Sequence, residues 1–81
     1  MNRRALLIVA HGSRRKESNI EVIQLAARIR RKNGIFSNVN AAFLELAKPS
    51  ISDAILNYVS NNVKEVVVIP YFLAFDFSHA L

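Results

Sequence analysis

Residues 5 to 13 read Ala5-Leu-Leu-Ile-Val-Ala-His-Gly-Ser13. Ala5 to Ala10 is a short, unbroken apolar run, the pattern of a strand buried on both faces. His11-Gly12-Ser13 breaks it. From Ser18 the period changes, and Val22, Leu25, Ala26 and Ile29 fall at i, i+3, i+4 and i+7, one face of a helix. Ser18 and Glu21 have the spacing of a capping box, although a start a few residues earlier also suits the pattern. Asn33-Gly34 supplies the stop, since both residue types tolerate the left-handed conformation.

The alternation then repeats. Val39 to Leu46 reads as a second strand, with Ala41 and Phe43 facing inward and Leu46 a further candidate. Pro49-Ser50 opens a second helix, Ser50 and Asp53 repeat the capping arrangement, and Ile51, Ala54, Ile55, Tyr58 and Val59 form its apolar face. Asn61-Asn62 ends it. Val66 to Ile69 reads as a third buried strand, stopped by Pro70, which cannot donate to a sheet ladder. The pattern predicts an α/β fold, a three-layer β-α-β-α-β parallel sheet with right-handed crossovers. Ligands of such sheets bind at the carboxyl ends of the strands. Three places are therefore selected: His11 to Ser13, Glu45 to Lys48, and Tyr71 onward.

Composition narrows the classes. Eighty-one residues make one small domain, and 52% hydrophobic content excludes a disordered tail. A core this small is marginal without a metal, a disulfide or a partner chain. The absence of cysteine excludes disulfides, thiolate metal sites and cysteine nucleophiles, so any metal must be held by histidine, carboxylate or backbone oxygen. Ala5 to Ala10 is too short for a signal peptide, and Val66 to Phe75 falls short of the ~20 residues of a membrane span. A cytoplasmic protein with no membrane partner is expected.

The net charge is +5, and the cations cluster at Arg14-Arg15-Lys16 and again at Arg28, Arg30, Arg31 and Lys32. Such clusters attract anions, nucleic acid or polycarboxylates. The second cluster closes a helix and complements its dipole without any ligand. Only Arg14 to Lys16 sits where a ligand is expected.

His11 is the sharpest chemical signal, placed to act as base or metal ligand; the bland reading is a histidine hydrogen-bonded to a loop carbonyl. Gly12-Ser13 is either a simple turn or a backbone cradle for an anion. It is neither a Walker loop nor a dinucleotide fingerprint, and Ser13 lacks the pattern of a nucleophile elbow. Glu45 is a proton acceptor or cation-steering group, or else a solvated strand-end charge. His79 is the second of the two histidines, and two converging imidazoles would suit Co²⁺, Ni²⁺ or Fe²⁺. Tyr71, Phe72, Phe75 and Phe77 wall a flat aromatic ligand or continue a buried strand.

Three blocks then stand in order: Leu6-Leu-Ile-Val-Ala-His-Gly-Ser-Arg-Arg-Lys-Glu-Ser-Asn19, Ala42-Phe-Leu-Glu-Leu-Ala-Lys-Pro-Ser-Ile51 and Val66-Val-Val-Ile-Pro-Tyr-Phe-Leu73. In these the chain resembles the short sirohydrochlorin cobaltochelatases, the CbiX type of class II chelatases. The resemblance implies ATP-independent insertion of Co²⁺, or in relatives Ni²⁺ or Fe²⁺, into sirohydrochlorin or a related precorrin, a step of cobalamin and tetrapyrrole biosynthesis. It implies His11 as proton acceptor and metal ligand and His79 as second ligand. Leu73, Ala74, Phe75, Asp76, Phe77 and Ser78 would line the macrocycle, with Glu45, Lys48 and Arg14 as further substrate contacts. Arg14, Arg15 and Lys16 would meet the substrate carboxylates. No cofactor beyond the substrate metal ion is implied.

The chain departs from the family pattern at Lys48, where an acidic residue is usual, and at Asp76-Phe77-Ser78, which lacks the usual glycine. The expectation is a single chelatase-like domain over residues 1–81, a flavodoxin-like half-domain incomplete at its C-terminus. Open sheet edges and a small core predict a homodimer. Two other classes compete: a remnant that binds metal or tetrapyrrole without turnover, and a basic nucleic-acid-binding domain. The latter ranks last, because no binding motif accompanies the charge.

Overall fold

The computed structural model describes residues 3–71. Five elements follow in order: β1 (Arg4–Ala10), α1 (Lys16–Lys32), β2 (Asn38–Phe43), α2 (Ile51–Ser60) and β3 (Glu65–Pro70). The strands form one parallel sheet in the order β2-β1-β3. β1 is central, and all its residues from Ala5 to Ala10 are buried, as the unbroken apolar run requires. Among the described residues, no helix is long and apolar enough to cross a membrane.

Side-chain alternation divides the core in two. Leu6, Ile8 and Ala10 join Val22 and Ala26 of α1 and Val39, Ala41 and Phe43 of β2. Ala5, Leu7 and Val9 join Ala42 of β2 and Ala54 and Tyr58 of α2. The chain steps from β1 to one neighbour and then crosses β1 to the other. With right-handed crossovers that reversal puts the helices on opposite faces.

α2 begins as expected, with the Ser50 hydroxyl accepting the Asp53 N–H at 3.1 Å, and Asn62 beyond its end is left-handed at φ 61°. α1 does not use the Ser18–Glu21 box. It starts at Lys16, and its N-cap residue, Arg15, makes no side-chain capping bond. Nor does it end in a left-handed turn, since Asn33 is extended at ψ 144°. The Asn33 side chain instead accepts the Ile35 N–H at 2.6 Å and donates to the Phe36 carbonyl at 3.1 Å, so a side-chain turn stops the helix.

Three burial expectations are corrected. β2 ends at Phe43, and Leu46 lies beyond it, left-handed at φ 66° and exposed. Val59 of α2 is exposed, because the helix meets the sheet through Ala54 and Tyr58. Among the described residues β3 lies at the edge of the sheet and is not buried as expected. Val67, Val68 and Ile69 are 37%, 53% and 47% exposed, since α1 and α2 contribute their buried residues over β1 and β2.

Tyr58 ties α2 to the central strand. Its hydroxyl, 1% exposed with the rest of the side chain, donates to the Leu6 carbonyl at 2.8 Å. Burial pushes its pKa up from 10.0 to about 12, against smaller lowering effects of Arg30 and an Asn40 backbone hydrogen bond. The unfolded chain therefore ionises first. The contribution is complete below about pH 10 and is lost as pH rises towards 12. Tyr58→Phe is expected to cost about 1–2 kcal/mol near neutral pH and to flatten this alkaline loss. Urea unfolding on both sides of pH 10 measures both effects.

Candidate active site

The strand order reverses about β1, which opens a crevice at the carboxyl ends of β1 and β3. A cavity of about 320 Å³ lies there. Its wall is Ala10 to Ser13 after β1, Ser18, Asn19, Glu21 and Val22 from the start of α1, and Tyr71 after β3. His11 is exposed on this wall, and Tyr71, half-buried, is held by its N–H on the Val9 carbonyl at 2.8 Å.

The loop carrying His11 is braced from two sides. On one, β2 overruns its end: Leu44 N–H donates to the Ala10 carbonyl and Glu45 N–H to the His11 carbonyl, each at 3.0 Å. Gly12, at φ +92°, makes this approach possible. A Cβ at that position would lie 1.7 Å from the Glu45 carbonyl oxygen. On the other side, Asn19 clamps Ser13, accepting its N–H at 2.8 Å and donating to its carbonyl at 2.7 Å. The Ser13 hydroxyl accepts the Arg15 N–H at 3.0 Å. With the Ser13 N–H already taken by Asn19, the anion-cradle reading of Gly12-Ser13 loses a donor it needs, and the turn reading stands.

Glu45 is thus brought beside His11 through its backbone, but neither it nor Lys48 lines the cavity. Lys48 is exposed and precedes Pro49 across a cis peptide bond. Arg14, also exposed, sits on the loop outside the wall. Leu73, Ala74, Phe75, Asp76, Phe77, Ser78 and His79 lie outside the described residues, as do Phe72 and the pairing of the two histidines. Among the described residues, no group of three or more His, Asp or Glu is placed to share a metal ion.

Asn19 and the Gly12–Glu45 contact carry structural work at the site that the sequence reading did not assign. A signal for Asn19 existed. It precedes Val22 by three residues and Ala26 by seven, so a polar side chain occupies the inward stripe of α1. No local signal marks the Gly12 contact, because its partner is 33 residues away (45 − 12).

The two basic clusters differ in their surroundings. Arg30, Arg31 and Lys32 occupy the last turn of α1, and Arg30 donates to the Val39 carbonyl through Nε at 3.0 Å and Nη2 at 2.6 Å. That cluster is accounted for by the dipole and the sheet. Arg14, Arg15 and Lys16 sit at the opposite end, where the dipole disfavours cations.

An open parallel sheet whose central strand delivers a histidine to a crevice at its carboxyl end defines an α/β protein with a strand-end ligand site. A family model described as CbiX matches residues 5–76. The chain belongs to the CbiX family. It is 44% identical over 68 residues to a protein of Arabidopsis thaliana named chloroplastic sirohydrochlorin ferrochelatase, covering 84% of this chain and 30% of that one. It is 33% identical over 70 residues to a sirohydrochlorin cobaltochelatase of Methanocaldococcus jannaschii, covering 86% and 48%. A sirohydrochlorin cobaltochelatase of Sulfurisphaera tokodaii is 36% identical over 69 residues, at 85% and 55%. The chain spans about half the length of these archaeal relatives and under a third of the plant one.

Proposed function

We propose that this chain binds sirohydrochlorin or a related precorrin and serves the ATP-independent insertion of a divalent metal into it. The observation that carries the reading is His11, exposed on a braced loop at the carboxyl end of the central strand, with Tyr71 in the same cavity wall. Two pyrrole N–H protons leave as the metal ion enters. A neutral imidazole facing the macrocycle accepts one of them, and the same lone pair holds the ion beforehand. Relatives named for cobalt and for iron support Co²⁺ or Fe²⁺ as the substrate metal, with Ni²⁺ a further candidate. His79 is proposed as second ligand, the segment Leu73 to Ser78 as macrocycle wall, and Glu45 and Lys48 as outer contacts. The strand order supports the half-domain reading, for 2-1-3 begins the flavodoxin order. A homodimer in the cytoplasm completes the proposal.

Arg14, Arg15 and Lys16 support an anionic ligand, because carboxylates beside them offset both their mutual repulsion and their unfavourable place on α1. Replacing all three by Gln is expected to weaken macrocycle binding roughly tenfold, and added salt should weaken the parent similarly. Fluorescence titration with sirohydrochlorin measures both. Salt-insensitive binding, unchanged in the triple variant, removes the cluster from the site.

The direct test mixes the chain with sirohydrochlorin and Co²⁺, Ni²⁺ or Fe²⁺ in separate runs and follows the macrocycle absorption. Insertion faster than the protein-free background supports the enzyme. Tight macrocycle binding with background insertion supports the non-catalytic binding protein instead.

A further inference from the structure

The Ser18–Glu21 spacing has no capping task in the folded chain. α1 starts at Lys16, so a capping carboxylate would have to stand at residue 18, and Glu21 lies three positions beyond it (21 − 18). Its helix neighbours do not neutralise it. One turn back are Glu17 and Ser18, and one turn ahead are Gln24 and Leu25, so no Lys or Arg occupies an i±3 or i±4 position. Among the described residues the Glu21 carboxylate enters no salt bridge, and the residue is exposed.

Glu21 stands instead in the wall of the His11 cavity, with Ser18 one turn before it on the same helix face. Among the described residues of that wall, it alone carries a carboxylate. Glu45, joined to the His11 loop through its backbone, is outside the wall, and so is Glu17. The surroundings give this charge a consequence. Arg14, Arg15 and Lys16 follow the His11 loop directly, and the whole chain carries +5. The cations that attract an anionic macrocycle repel a divalent metal ion bound for the same imidazole. A carboxylate in the cavity wall opposes that repulsion locally, and it attracts a dication about twice as strongly as a unit charge at the same separation. Mixed imidazole and carboxylate surroundings also suit divalent iron and its first-row neighbours.

We propose that Glu21 draws the substrate metal ion into this cavity and toward His11, so that the site is divided by charge. The macrocycle carboxylates are held at Arg14 to Lys16, and the ion enters past Glu21. The inference takes its substrate from the metal-insertion reading and adds to it a residue that governs metal capture without governing macrocycle binding.

Equilibrium dialysis of the full chain against Co²⁺ alone, at low ionic strength, is the first measurement. Glu21→Gln keeps the size of the side chain and removes its charge, and it is expected to weaken Co²⁺ binding roughly tenfold. Glu21→Asp should keep most of the affinity. Glu17→Gln makes the same change in net charge one turn away, outside the wall, and should weaken binding by less than about threefold. High salt should shrink the difference between the parent and Glu21→Gln. Circular dichroism should be unchanged in all three variants, because both residues are exposed. In the insertion assay, Glu21→Gln should raise the KM for Co²⁺ by a similar factor, with kcat and sirohydrochlorin affinity held within about twofold. Background insertion by the parent defeats the metal-insertion reading, while the dialysis comparison still decides Glu21. Immeasurably weak Co²⁺ binding by the parent, equal weakening by Glu17→Gln and Glu21→Gln, or a fall in kcat at unchanged KM for Co²⁺ overturns the role of Glu21.

Discussion

His11→Ala is expected to slow metal insertion by roughly 10²–10⁴-fold, the usual contribution of a positioned general base, while leaving the fold intact. The side chain is exposed, so its removal withdraws little from the core, and the change in stability should stay within about 0.5 kcal/mol. Two of the bonds that brace the loop are made by the backbone, the Glu45 N–H on the His11 carbonyl and the Leu44 N–H on the Ala10 carbonyl. Alanine keeps both. Added imidazole should restore part of the lost rate if the missing group is a proton acceptor, whereas a misplaced loop would not respond. Insertion at the parental rate excludes His11 from the chemistry. A variant that fails to fold returns the residue to the bland reading, in which it holds a loop.

Gly12→Ala is expected to have the larger effect on stability. The added Cβ would stand 1.7 Å from the Glu45 carbonyl oxygen and 2.9 Å from its carbon, and both are backbone, so no side-chain rotation relieves the clash. The residue is also left-handed at φ +92°, where a Cβ costs roughly 1–2 kcal/mol before any contact is counted. Moving the loops apart forfeits the two hydrogen bonds between them, about 1 kcal/mol each. A loss of about 3–4 kcal/mol is a large fraction of a small domain's stability. Urea denaturation measures it. Gly34→Ala is the matched control, because a Cβ there meets nothing within 4 Å. It should be neutral or slightly stabilising. Equal effects of the two substitutions would show that the Gly12 approach is not what braces the site.

Local pattern carried much of the architecture. The unbroken run Ala5 to Ala10 could be satisfied only by a strand covered on both sides, and β1 is that strand. The stripe Val22, Leu25, Ala26 and Ile29 and the Ser50 cap are likewise local, since helix periodicity and capping act within a few residues. The rule that ligands bind at strand carboxyl ends selects the His11 loop from local pattern alone.

Other features depended on where distant segments lie. Val66 to Val68 has the composition of a buried strand, yet burial is decided by which neighbours exist, and among the described residues β3 has β1 alone beside it and exposed side chains at Val67 and Val68. Leu46 is apolar, but β2 bends away after Phe43 to reach the His11 loop. The need for glycine at residue 12 arises from a carbonyl 33 positions later (45 − 12), a contact that no window of sequence contains. The covered outer edge of β2 follows from hydrogen bonds that Arg30 and Pro49 make only after the chain has folded back. Composition and period specify what a residue prefers, and only the packed chain specifies what it meets.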